Sequence, residues 1–320
     1  MLRYIFQRII NLIPVVIIIS ICLFGIMKLM PGDPVGMNLD PRATAEQKAL
    51  ERERLGLNKP IPVQYVNWVK RSVQGDFGES HIYRKPVSEV APQFVWNSFI
   101  LNVTVYIFAF MISIPIGIIC AVKRYSKTDN FWTVFSIIGI SMPTFFFGLL
   151  LIYIFAVKLD LLPINGMVTP GSMTEGFSKV KDVLYHMILP AIVLTIGSLA
   201  SIVRYVRTSM LDIISQDYIR TARSKGLKEK VVIYRHAFRN ALIPIITLIG
   251  LTIPTLFSGA VILERVFIWP GIGNILMDSI SNRDYNLMMA LNMFFAMLTL
   301  LGNLLSDIGY AFVDPRIKVE

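Results

Sequence analysis

The chain has 320 residues, 54% of them hydrophobic and 16% charged. A soluble domain carries roughly 25% charge, so an ordinary water-soluble fold is excluded and lipid is the expected solvent. The net charge of +10 admits nucleic acid as a partner, but its distribution along the chain points to membrane orientation instead.

A helix that crosses the ~30 Å hydrocarbon core needs ~20 mostly apolar residues. Six runs qualify, and an all-α polytopic membrane protein with six transmembrane helices is the expected fold. The runs are Ile9–Met30, Phe99–Val122, Phe131–Val157, His186–Val206, Ala241–Leu263 and Leu287–Gly309. They are continuous rather than alternating, which excludes a β-barrel. The first run follows Arg3 and Arg8, as a signal peptide would. It is longer than a typical signal core and lacks a small-residue cleavage site, so it is read as a retained helix. Cys22 and Cys120 both fall inside spans. They read as packing residues, not as a disulfide or a metal site.

Three connections are short of acids and rich in Lys and Arg. They are the N-terminus, Lys123–Asn130 and Arg207–Asn240, and the C-terminal tail joins them. The positive-inside rule places this side in the cytoplasm, with both termini. A bacterial or archaeal cell membrane is the expected location.

Residues 1–98 are expected to form the first span plus an external helical subdomain. Thr44–Leu55 is rich in helix formers, and Ile61–Val73 places valines near helical spacing beside Tyr65 and Trp68. The second of these suits a membrane interface. A five-helix core over 99–309 follows, with a cytoplasmic loop at 207–240 and a tail at 310–320.

No span carries a charge near its middle. Lys28, Arg204 and Asp307 sit near span ends, where long side chains can reach the interface. Ion-coupled carriers need ionisable groups along the path, so this class is disfavoured. No GxxxxGK[ST] loop occurs. His81, His186 and His236 have no ligand partner at metal-binding spacing. An enzyme is disfavoured for want of a nucleophile or metal cluster. Ser141, Thr195, Ser198, Thr252, Thr255 and Ser258 are neutral polar residues within spans and candidates for lining a pathway. Helix–helix hydrogen bonding is the competing and commoner reading for each. Pro115, Pro143, Pro190, Pro244 and Pro254 mark kinks.

Active transport by such a chain needs an outside energy source. Asp217–Pro244 reads as a helix, a bend at Gly226 and a second short helix on the cytoplasmic side. By composition, it fits docking to a partner or contact with anionic lipid equally well.

The segment resembles the coupling loop, or EAA motif, of ABC importer permease subunits. It has Arg220-Thr221-Ala222, then Gly226, then Leu242-Ile243-Pro244. The usual Glu is absent, and Tyr218 through Gly226 resembles the form found in the dipeptide/oligopeptide/nickel branch. Other landmarks of that branch run in order along the chain. They include Pro31-Gly32-Asp33-Pro34, Gly75-Asp76-Phe77-Gly78-Glu79-Ser80, Ser141-Met142-Pro143, Glu264-Arg265-Val266-Phe267, Pro270-Gly271-Ile272-Gly273, Arg283-Asp284-Tyr285 and Asp314-Pro315-Arg316. The long first external region resembles the B-type member of the permease pair.

The resemblance implies the type I permease fold and alternating access. It implies a second related permease, two cytoplasmic ATPases and an extracytoplasmic peptide-binding protein or lipoprotein as partners. The chain itself holds no cofactor, and ATP and Mg belong to the ATPases. Arg220, Thr221, Ala222, Arg223, Lys225, Gly226, Leu227 and Lys228 are expected to meet an ATPase groove. Arg223, Lys225 and Lys228 are expected to pair with acidic groove residues, and Ala222 and Leu227 to pack there. The expected cargo is a di- or oligopeptide. Nickel, opines or oligosaccharides are alternatives within the family, and a passive channel or ion-coupled carrier is the alternative outside it.

Overall fold

The computed structural model describes residues 2–29, 44–54, 56–172 and 175–313. The Pro31–Pro34 and Asp314–Arg316 motifs and the last residues of the tail lie outside these. Lipid offers backbone groups no partner, so the apolar runs close their hydrogen bonds within helices.

Helix α1 spans Leu2–Leu29 and packs on the last helix. Two short helices follow, α2 (Ala45–Arg54) and α3 (Ile61–Val73). Tyr65 and Trp68 of α3 pack on Phe24 of α1 at ring-centroid separations of 5.5 and 6.0 Å. Lys28 does not simply reach for water. Its ammonium donates to Gln64 Oε1 at 2.6 Å, tying the C-terminal end of α1 to α3. A two-stranded antiparallel hairpin, β1 (Glu79–Ser80) and β2 (Lys85–Pro86), leads into the core. Asp284 fastens it by accepting from the Ser80 hydroxyl and the Ile82 N–H.

Helix α4 (Val87–Val122) begins well before the expected Phe99, and α7 (Gly176–Ile214) overruns both ends of His186–Val206. Their extra turns are too polar to register as hydrocarbon-spanning. These two helices share the longest interface in the fold.

The third apolar run is not one helix. It divides into α5 (Lys127–Ser141) and α6 (Thr144–Lys158), bent by 99°. Met142 precedes Pro143 and takes an extended conformation at φ −81°, ψ 124°. The proline ring excludes the helical region for the residue before it. At the N-terminal end of α5, Asp129 accepts a bidentate pair of bonds from Arg207 of α7, at 2.7 and 2.8 Å.

Helix α8 is Asp217–Ser224, and α9 is Glu229–Thr252. The second half of Asp217–Pro244 is therefore no separate helix. It runs unbroken into the fifth span. A turn at Pro254–Leu256 and a 41° bend lead to α10 (Val261–Val266). Helices α11 (Ile272–Ser281) and α12 (Tyr285–Val313) complete the chain. Among the described residues, four helices are long and apolar enough to cross a membrane alone, and the number rises to six if each bent pair is one span.

Candidate coupling site and membrane pathway

Helix α8 is amphipathic at helical spacing. Ile219 and Ala222 lie three residues apart, on one face, and both are buried. They enter a cluster with Ile118 and Ala121 of α4, Met210 of α7, and Val232 and Ala237 of α9. Ala222 thus anchors α8 to its own chain and is not free to pack in a partner's groove. That corrects the expectation from sequence. Its small side chain lets α8 lie close on the Val232–Phe238 part of α9, a contact only the fold reveals.

The opposite face is open. Tyr218, Arg220, Thr221, Arg223, Ser224 and Lys225 are exposed, as are Leu227 and Lys228 beyond it. Gly226 turns the chain at φ +73°. This is the left-handed region, which glycine enters at no steric cost.

Arg223 does not wait for a partner's acid. Its guanidinium donates to both carboxylate oxygens of Glu229 at 2.7 and 3.2 Å, closing the bend from the other side. The hydrogen bond to Glu229 raises the Arg223 pKa above its ordinary value. Both side chains are about half exposed, so the pair contributes only ~0–1 kcal/mol. A double-mutant cycle on Arg223→Gln and Glu229→Gln, read by thermal melting in detergent, should return a coupling energy below ~1 kcal/mol. A larger value would mean that the ion pair, rather than Gly226 and the buried stripe, holds the bend.

The six hydroxyl candidates separate into different environments. Thr195 is buried and donates to Val105 O of α4 at 3.5 Å, a helix–helix contact. Ser141 is exposed at the end of α5, and Ser198 is half-buried on α7. The elbow between α5 and α6 holds an apolar cleft of about 110 Å³ lined by Phe135, Met142, Phe147 and Val193 among others, but by none of the six. Thr252, Thr255 and Ser258 gather at the break after α9. Their hydroxyls donate back to Ile249 O, Thr252 O and Thr255 O. Such bonds close carbonyls that the broken helix leaves open.

Sequence reasoning missed how α4 holds this break. Asn102 Nδ2 donates to Thr255 O and Leu256 O at 3.3 and 3.1 Å. Asn97 Nδ2 donates to Pro270 O, and Trp269 Nε1 donates to Asn97 O. Glu264, one residue past the fifth apolar run, is 1% exposed. Its carboxylate accepts from Ser98 Oγ at 2.7 Å and from the Asn274 N–H at 3.0 Å, and Ser98 Oγ accepts from the Ile272 N–H. The carboxylate therefore caps the start of α11, where the helix dipole favours an anion. A Glu-Arg pair closing an apolar run looks like a span boundary to any hydropathy reading, so this burial gave no signal. Among the described residues, no three metal-ligating side chains converge.

Two family descriptions match the chain. Residues 1–114 match the N-terminal component of binding-protein-dependent transport systems, and residues 113–319 match their inner membrane component. The chain belongs to this family of transport permeases. It is 44% identical over 320 residues to the oligopeptide transport system permease protein AppB of Bacillus subtilis, covering 99% of this chain and 100% of that one. It is 38% identical over 321 residues to the glutathione transport system permease protein GsiC of Salmonella typhimurium, across the whole of both. The fold is similar to a chain of the MetNI methionine ABC transporter in an inward-facing state. The TM-score is 0.52 at 18% identity, over 69% of this permease and 93% of that chain. The permease is therefore a multi-pass membrane subunit of an ABC importer with the type I fold. It works with a binding protein and an ATPase, and does no chemistry itself.

Proposed function

We propose that this permease carries di- or oligopeptides into the cell, driven by ATP hydrolysis in two cytoplasmic ATPases. A second, related permease completes the channel, and an extracytoplasmic binding protein or lipoprotein delivers the peptide. ATP and Mg belong to the ATPases. Both termini are cytoplasmic, a placement supported by the concentration of Lys and Arg on that side. The observation that carries the substrate is the full-length match to an oligopeptide permease at 44% identity.

The geometry supports an alternating-access mechanism. The exposed face of α8 meets the ATPase, through Arg220, Thr221, Lys225, Leu227 and Lys228. Ile219 and Ala222 bind α8 into the shared core of α4, α7 and α9, so force on the exposed face moves that core. From Glu229, one continuous helix reaches the break at Pro254. It acts as a rod from the ATPase surface to the interior of the membrane. Closure of the ATPases opens the cavity between the two permeases outward, and hydrolysis returns it inward.

The test is purification of the tagged chain with its genetic neighbours, followed by reconstitution into proteoliposomes. ATP-dependent uptake of a labelled peptide, lost when the binding protein is omitted, is the expected result. A chain that purifies without an ATPase, or a complex that takes up nickel but no peptide, would overturn the proposal.

A further inference from the structure

The break in the fifth span leaves an exposed face that the coupling mechanism does not use. The residues from Pro254 to Ala260 are outside any α-helix, between two helices of one span. Non-helical backbone at membrane depth persists only where protein covers it or where it lines a watery cavity. Asn102 covers one side. On the other side Thr255 and Ser258 are exposed. Lipid cannot be the neighbour of that face.

Beside it, α4 presents Trp96, Phe99, Tyr106 and Phe110 along one helical stripe. Trp96 and Phe99 stack at 5.3 Å, and Phe99 stacks on Phe257 of the break at 4.7 Å, with the planes 24° and 23° apart. Trp96 is 60% exposed. Tyr106 Oη lies 3.0 Å from Thr255 Oγ1. Thus an aromatic shelf ends in a pair of hydroxyls. Neither 96–110 nor 252–262 contains an Asp, Glu, Lys, Arg or His.

We propose that Tyr106, Thr255 and Ser258, with the Trp96–Phe99–Phe257 shelf, form the surface over which a peptide passes in this subunit. The inference rests on the peptide-import reading above. The Thr255 and Ser258 hydroxyls donate to backbone carbonyls and keep lone pairs that can accept from a passing amide N–H, and the Tyr106 hydroxyl can donate to its carbonyl. Flat aromatic faces accept apolar side chains of varied shape. A neutral lining holds no cargo by charge, so peptides of differing charge are released. The same break terminates the rod that begins at Glu229, so movement of the coupling site reaches the cargo without an intermediate element.

The test uses the complete transporter in proteoliposomes. Cys22→Ala and Cys120→Ala remove the native thiols, and Thr255→Cys, Ser258→Cys or the control Ile246→Cys is added. Ile246 is exposed on α9, away from the break. A transported peptide carrying a bromoacetyl group is supplied with ATP. Adducts at 255 and 258, and at least about tenfold less at 246, are expected. Tyr106→Phe, which removes one polar contact, should lower uptake efficiency by about 2- to 10-fold, with peptide affinity of the binding protein unchanged. Cross-linking of 255 and 258 to the second permease throughout the cycle, with no peptide adduct, would overturn the proposal. So would adduct yields no higher than at 246. Failure of the unmodified transporter to take up any peptide is a separate result, and it overturns the import reading itself.

Discussion

Gly302→Leu is expected to abolish uptake and to lower the yield of assembled transporter. Gly302 lies on α12 against the Pro254 ring, and a Cβ built at that position falls 1.8 Å from Pro254 Cγ and 2.7 Å from Cδ. A proline ring cannot rotate away, so a larger residue must push the two helices apart. The separation would pull Thr255 O and Leu256 O from Asn102, which alone covers them from α4. Alanine makes the sharper comparison. Glycine to alanine within a helix gains roughly 0.8–1 kcal/mol in propensity. Overpacking a tight contact costs typically ~1–3 kcal/mol. Packing should win at Gly302, whereas Gly250, with no atom within 4 Å of its built Cβ, should show only the gain. Thermal melting in detergent should thus fall for Gly302→Ala and hold or rise for Gly250→Ala. Equal shifts at both sites would remove the Pro254–Gly302 contact from the account of the break.

Much of the fold was visible in the sequence because lipid imposes one rule on every span. The first, second, fourth and sixth apolar runs became single helices for that reason. What lay outside the rule was missed. The polar turns that extend α4 to Val87 and α7 to Ile214 gain nothing from lipid, so no apolar run marks them. Pro143 announced a kink, but the 99° bend depends on Met142 leaving the helical region and on α7 receiving both halves. The bend at Gly226 was legible from residue type alone. The inward role of Ala222 was not, because Met210 and Val232 lie on other helices. Nor was the Arg223–Glu229 pair, since six residues is not a helical contact spacing and the partners meet only across the bend. Among the hydroxyl candidates, Thr195 turned inward to Val105 while Thr255 stayed open. Their residue types are identical, and only the neighbouring helices distinguish them.

Gly226→Val is expected to uncouple the transporter, cutting ATP-dependent uptake about tenfold or more while insertion into the membrane persists. No atom lies within 4 Å of the Cβ that the substitution adds, so the effect is not a clash with the rest of the chain. It comes from the backbone. At φ +73° an L-residue costs roughly 1–2 kcal/mol, and a β-branched side chain stands at the upper end or beyond. The local alternative is a continuous helix through the bend. That would draw Ile219 and Ala222 out of their cluster, so α8 would no longer sit on the core that α9 carries into the membrane. A cost of 1.4 kcal/mol is a factor of ten in the population of the bent form. Asparagine tolerates the left-handed region, so Gly226→Asn should recover most of the uptake that valine loses. The variants therefore separate conformation from contact. If asparagine and valine fail alike, Gly226 is needed for its lack of a side chain against the ATPase. If valine transports normally, force does not enter the permease through this bend, and the rod from Glu229 must be driven from another surface.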